Sequence, residues 1–130
     1  MSGGVTRVVI ADDDPDIRAL VSISVRKAGL ELIVAAADGD QAWAALQEHR
    51  PDLAVLDVSM PGKTGFELCR LARADAELAY LQIVLLTAAA DDQSRASGLE
   101  AGADEFFVKP FSPREFTAWL SHLRLRTSEP

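Results

Sequence analysis

The sequence predicts a doubly wound α/β domain, a parallel five-stranded sheet with helices on both faces. Three observations lead there. Five short apolar runs recur along the 130 residues, each followed by a stretch of helical spacing. Three of the runs are almost unbroken in hydrophobicity rather than alternating, which is how strands covered on both faces read. The connections are short, and no repeat, low-complexity stretch or internal linker interrupts them. Strands that alternate with helices in this way join by right-handed crossovers into one parallel sheet.

The elements follow in order. The first run, Val5 to Ala11, leads into Asp14-Pro15, an N-cap followed by a first-turn proline. Ile17, Leu20, Val21, Ser24, Val25 and Ala28 then form a helical stripe that stops at Gly29. The second run, Glu31 to Ala36, precedes a shorter helix from Asp40 to Glu48 that carries Ala42, Trp43 and Leu46. The third run, Leu53 to Asp57, is followed by a Met60-Pro61-Gly62 turn and by Thr64-Gly65-Phe66-Glu67, spaced as a capping box. In the helix that follows, Cys69 reads as a small core residue beside Phe66 and Ala72. The fourth run, Gln82 to Thr87, precedes the weakest helix, Asp91 to Ala101. Its face is mostly alanine, with Leu99 the one large apolar residue, so this helix is either marginal or the part that moves. The fifth run, Glu105 to Val108, is followed by a second box, Ser112-Pro113-Arg114-Glu115, and by Phe116, Trp119, Leu120 and Leu123 on one helical face. The domain is expected to span 5–125, with 1–4 and 126–130 as disordered termini or the start of a linker.

Composition narrows the function. The chain is 48% hydrophobic and 25% charged, enough to bury one core without disulfides. Thirteen basic against twenty acidic residues leave a formal charge of −7, which repels phosphate backbones and argues against direct nucleic-acid binding. A single cysteine, Cys69, rules out an internal disulfide and fits a reducing compartment. No apolar run approaches the ~20 residues of a membrane helix, and Met1-Ser2-Gly3-Gly4 lacks the features of a secretory signal. A cytoplasmic domain is the expectation.

In an open α/β sheet, sites form at the carboxyl ends of the strands. The residues found there are chemically specific. The first run ends in Asp12-Asp13, the third in Asp57, the fourth in Thr87 and the fifth in Lys109-Pro110. Carboxylates gathered on one rim repel one another and raise each other's pKa unless a cation lies among them. A hard divalent ion such as Mg²⁺ fits carboxylate ligands together with water and phosphate oxygens. With a lysine and a hydroxyl added, the rim suits a transferring phosphoryl group. Asp57, at the end of the most buried-looking strand, is the candidate nucleophile, and Asp12 and Asp13 are the candidate metal ligands.

Four pieces in order resemble the receiver domain of two-component response regulators. They are Val8-Val9-Ile10-Ala11-Asp12-Asp13-Asp14-Pro15, Leu56-Asp57-Val58-Ser59-Met60-Pro61-Gly62, Leu86-Thr87-Ala88 and Phe107-Val108-Lys109-Pro110-Phe111. Gly98 and Ala101-Gly102-Ala103-Asp104 also fit the approach to the fifth strand. The resemblance implies a flavodoxin-like three-layer sandwich with strand order 2-1-3-4-5. It implies that Asp57 accepts a phosphoryl group from a histidine kinase or phosphotransfer protein. Mg²⁺ would be held by Asp12, Asp13, Asp57 and the Ser59 carbonyl. Thr87 and Lys109 would engage the phosphoryl group, and the Lys109-Pro110 bond would be cis. Phe106 occupies the place of the family's aromatic switch, which turns inward when the threonine moves. Receivers often pair through the face formed by the fourth helix, fifth strand and fifth helix. Here Asp91, Asp92, Arg95, Glu100, Asp104, Arg114 and Arg124 supply charge for such a homodimer. Ser59 and Ala89, at positions that tune phosphoryl loss in the family, are small and uncharged and offer no aid to an attacking water.

Two other functions compete for the same residues. Asp12 and Asp14 match the Asp-x-Asp of a small Mg²⁺-dependent phosphohydrolase that also forms an aspartyl phosphate, but 130 residues leave no room for its cap. A flavin or nucleotide binder would want a glycine-rich or hydroxyl-rich first loop, where this chain has three aspartates. His49 and His122 read as surface residues, and Trp43 and Trp119 as helix-face packing.

Overall fold

The computed structural model describes residues 5–88 and 92–123. The expected features at 1–4, Ala89, Asp91, Arg124 and 126–130 lie outside them. Ten elements alternate: β1 (Arg7–Ala11), α1 (Pro15–Lys27), β2 (Glu31–Ala36), α2 (Gly39–His49), β3 (Leu53–Asp57), α3 (Gly65–Ala74), β4 (Gln82–Thr87), α4 (Asp92–Ala101), β5 (Glu105–Val108) and α5 (Pro113–Ser121). All strand pairs are parallel, in the order β2-β1-β3-β4-β5. This is the expected flavodoxin-like arrangement.

The sheet divides the core in two because neighbouring residues of a strand point to opposite faces. Val8, Ile10, Leu53, Val55, Val84 and Leu86 meet Val21 and Val25 of α1 and Phe116 and Leu120 of α5. Val9, Ala11, Ala54, Leu56, Ile83 and Leu85 meet α2, α3 and α4. The central β3 is buried throughout, which explains its unbroken hydrophobicity. The edge strands β2 and β5 are only half-buried.

Helix starts follow local chemistry. Asp14 accepts from the Asp16 and Ile17 N–H groups, with Pro15 in the first turn. Thr64 and Glu67 form a reciprocal capping box. At α5, Ser112 accepts from the Glu115 N–H as half of such a box. Asp38 caps α2, so that helix begins at Gly39, before the expected Asp40. β1 begins at Arg7 rather than Val5, whose side chain is solvent-exposed.

Two expectations need correction. Leu99 does not anchor α4: it is 58% exposed, and Gly98 and Ala101 are the buried residues of this helix among those described. Asp104 is not a free charge on the fourth-helix face. It pairs with Arg73 of α3 at 3.0 Å and accepts the Ile83 N–H at 2.8 Å, because it caps the turn into β5. Cys69 is fully buried, and Trp43 and Trp119 are half-buried against the two clusters, as expected. His122 is exposed and bonds only within its own helix end, while His49 is half-buried beside Glu48.

Candidate functional site

Parallel strands bring their carboxyl ends to one edge, so β1, β3, β4 and β5 deliver Asp12, Asp57, Thr87 and Lys109 together. Asp12, Asp57 and Thr87 are buried, at 2%, 4% and 4% exposure. Asp13 is exposed at the rim. One carboxylate oxygen from each of Asp12, Asp13 and Asp57 lies within 4.8 Å of the others.

Backbone contacts hold these positions. Asp57 pairs in register with Leu86, and the Val58 N–H donates to the Leu86 carbonyl at 2.9 Å. The Lys109 N–H donates to the Thr87 carbonyl at 2.7 Å, tying β5 to β4 beside the hydroxyl. The Lys109-Pro110 peptide is cis. Arg18 reaches back from α1 to the Asp12 carbonyl at 2.8 Å. Gly65 opens α3 directly against β3: a Cβ there would lie 2.6 Å from the Asp57 carbonyl oxygen. Any larger residue at this position would displace the strand end that carries Asp57.

Lys109 Nζ lies 3.0 Å from Asp12 Oδ2 and 3.1 Å from Asp57 Oδ1. The approach to Asp57 is aligned as a hydrogen bond, and the Ser59 N–H donates to the same oxygen at 3.4 Å. The approach to Asp12 is an ion pair without that alignment. Asp12 Oδ2 is therefore the one buried side-chain oxygen with no aligned donor among the described residues. Asp12 Oδ1, by contrast, accepts the Asp14 N–H at 2.9 Å.

Burial, and then the neighbouring Asp12 charge, push the Asp57 carboxyl up from 3.8 to about 6, against the lowering effect of Lys109 and the Ser59 N–H. Burial acts to lower the Lys109 pKa, but the Asp12 and Asp57 carboxylates outweigh it and raise it. One ammonium thus faces three carboxylates, leaving an excess of two negative charges. A divalent cation matches that excess, and Asp12, Asp13 and Asp57 are the residues that would hold it.

The sequence-marked residues therefore converge, with differences of detail. Ser59 is exposed beside Asp57, with its N–H turned to the carboxylate. Phe106 is already buried, its ring against α4, so the inward position expected to follow the threonine's movement is the one this structure holds. Asp14 is excluded from the cluster, because its side chain is committed to capping α1. A concavity of about 460 Å³ opens elsewhere, between α1 and α5, lined by Leu20, Ile23, Lys27, Pro113 and Arg114 among others. The carboxylates thus form an open rim rather than the floor of that cavity.

The response regulator receiver domain family matches residues 8–121. The chain belongs to that family. The DNA-binding response regulator MtrA of Mycolicibacterium smegmatis is 41% identical over 125 residues, covering 95% of this chain and 53% of MtrA. The chain spans about half the length of the curated relatives it matches. Chemotaxis response regulator CheY4 of Vibrio cholerae superimposes with a TM-score of 0.82 at 34% identity, covering 90% of this chain and 97% of CheY4. The receiver domain of sensor histidine kinase PA1611 from Pseudomonas aeruginosa, which has a magnesium ion coordinated in its active-site cleft, gives 0.79 at 26% identity over 90% of this chain and 95% of that one. As a receiver, this domain is a phosphorylation-dependent signalling switch. The phosphohydrolase alternative is not favoured, since its second aspartate, Asp14, is a helix cap. Among the described residues no helix is long and apolar enough to cross a membrane.

Two residues escape a reading of the sequence: Gly65, which positions the site, and Arg73, which braces the opposite edge of the sheet. Gly65 is visible there only as part of a capping box, and Arg73 carries no signal at all. Arg73 ties α3 to the turn before β5 by bonding the Gly102 carbonyl at 2.7 and 3.0 Å, the Leu81 carbonyl at 2.5 Å and Asp104.

Proposed function

We propose that Asp57 is the phosphoacceptor, and that the donor is the phosphohistidine of a histidine kinase or phosphotransfer protein in the cytoplasm. The observation that carries this reading is the shared contact of Lys109 Nζ with Asp12 Oδ2 and Asp57 Oδ1 at 3.0 and 3.1 Å, within a cluster of three carboxylates. Asp57 Oδ1 is held by Lys109 and the Ser59 N–H. Oδ2 has no hydrogen-bond partner among the described residues, which leaves it as the attacking atom. Its bond to phosphorus forms as the nitrogen–phosphorus bond of the donor breaks, and the imidazole leaves with the electron pair.

Asp12, Asp13 and Asp57, with the Ser59 carbonyl, would hold Mg²⁺. When bound, that ion neutralises the carboxylates and the phosphoryl oxygens. Lys109, already over Oδ1, supplies the second positive charge to the phosphoryl oxygens. Thr87 closes the site from β4 through its hydroxyl, and Phe106 on the paired β5 turns with it. The changed surface lies on α4, β5 and α5, where Arg95, Glu100 and Arg114 are available to a partner, an output domain or a second copy. No phosphatase aid is offered by Ser59, and domain limits of 5–125 follow from the same reading.

The test is intact-protein mass after incubation with Mg²⁺ and a small phosphodonor. The wild type is expected to gain one phosphoryl mass and Asp57→Asn none. No gain, or a gain that survives Asp57→Asn, refutes the assignment. Light scattering with and without beryllofluoride tests the homodimer.

A further inference from the structure

Helix α4 is attached to the sheet by very little. Its buried residues among those described are Gly98 and Ala101, and Leu99 points to solvent. The Phe106 ring fills the space beneath it. A Cβ built on Gly98 would overlap Cζ and Cε1 of that ring, so the ring lies directly against the Gly98 backbone. On the solvent side, the Arg95 guanidinium sits 5.7 Å from the ring centroid, one turn before Gly98. Phe106 is consequently 8% exposed although β5 is an edge strand.

Glycine inside a helix is costly, by about 1 kcal/mol relative to alanine. No positive φ requires it here, since Gly29, Gly62 and Gly102 are the glycines with that geometry among the described residues. The close approach of the ring accounts for the glycine instead. The clashing atoms belong to the far end of a side chain, so a methyl group at 98 can be accommodated if the ring swings out.

We propose that Gly98 is a size-gated seat for Phe106, roofed by Arg95, and that residue 98 decides whether the ring rests beneath α4 or outside it. The inference deepens the switching role assigned to Phe106 and rests on that reading for its consequence. The seat itself stands on packing alone. With the ring seated, α4 is held down; with the ring expelled, α4 loses its main apolar contact. Arg95 is a positioning residue, which shields the ring without being required to seat it.

The experiment compares unphosphorylated wild type, Gly98→Ala, Phe106→Ala and the double variant by NMR. Two readouts are used: contacts between the Phe106 ring and residue 98, and hydrogen-exchange protection of the α4 amides. In Gly98→Ala the ring contacts vanish and α4 protection falls by about tenfold or more, the loss expected when a buried phenylalanine leaves its site. In the Phe106→Ala background the same substitution raises protection by about fivefold, because only helix propensity then remains. That reversal of sign is the signature of the seat. Equal effects in both backgrounds, or ring contacts that persist in Gly98→Ala, overturn it. If Gly98→Ala does not fold, the double variant must fold; if it does not, the seat is again refuted. A wild type that gains no phosphoryl mass would remove the function proposed for Asp57 while leaving these results standing.

Discussion

The Asp57 carboxyl should weaken the metal-free fold at neutral pH, and replacing it by asparagine should strengthen it. The folded domain holds this proton up to about pH 6, whereas the unfolded chain releases it near 3.8. Between those values the folded state binds more protons, so stability falls as pH rises through the window. Below 3.8 there is no penalty, and above about 6 it is complete. The gap corresponds to about 3 kcal/mol at neutral pH. For a domain of this size that is a Tm difference of roughly 10 °C. Lys109 keeps Asp12 as a partner in Asp57→Asn, so the substitution strands no buried charge. The assay is thermal unfolding of both proteins in chelator from pH 4 to 8. Carboxylates outside the site titrate alike in both and cancel. The difference should be near zero at pH 4, grow through pH 6 and then level off. Millimolar Mg²⁺ should narrow it by stabilising only the wild type. A difference that is flat with pH, or that favours aspartate at pH 8 without metal, refutes the electrostatic account.

Three further outcomes are expected. Asp12→Asn should remove Mg²⁺-dependent stabilisation and phosphoryl gain together while leaving the fold intact, as read by thermal shift and intact mass. Gly65→Ala should cost about 1–3 kcal/mol in urea unfolding and slow phosphorylation, because the atoms it meets, Asp57 O and Val58 Cα, are backbone and cannot swing aside. Arg73→Ala should cost about 2–4 kcal/mol by the same measure, since it releases the Gly102, Leu81 and Ala79 carbonyls and leaves Asp104 without its cation. Arg73→Lys should recover little of it, as one ammonium cannot span those acceptors.

Most of this molecule is legible in its sequence because the strongest signals are local. Uninterrupted apolar runs mark β3 and β4 as central strands, and Asp14-Pro15 and Thr64-Glu67 mark helix starts through bonds that close within four residues. The site is legible for a different reason. Parallel strands export their last residues to one edge, so the residues that end the apolar runs are also the residues of the site. Contacts between elements distant in the chain are not legible. Arg73 and Asp104 are 31 residues apart, and neither spacing nor composition pairs them. The same holds for Leu99, whose periodicity suits a buried face while α4 lies on the sheet through smaller residues.

The pair Phe106-Phe107 shows how the two-sided sheet directs a signal. Adjacent residues of a strand face opposite layers, so one ring belongs to α4 and the other to α5. Phe107 is locked by edge contacts to Phe111, Phe116 and Trp119, with centroids 6.2, 5.0 and 5.4 Å away. Each such pair resists displacement by about 0.5–1.5 kcal/mol beyond burial. Phe106 faces the opposite layer, held by a backbone seat and one exposed arginine. In the proposed switch, a pull on β5 from the site edge, through Lys109 and the Thr87 carbonyl, would meet a fixed cluster on one side and a ring with fewer contacts on the other. On the function proposed above, the α5 side would be the anvil of this switch, and α4 is the element expected to report the state of Asp57.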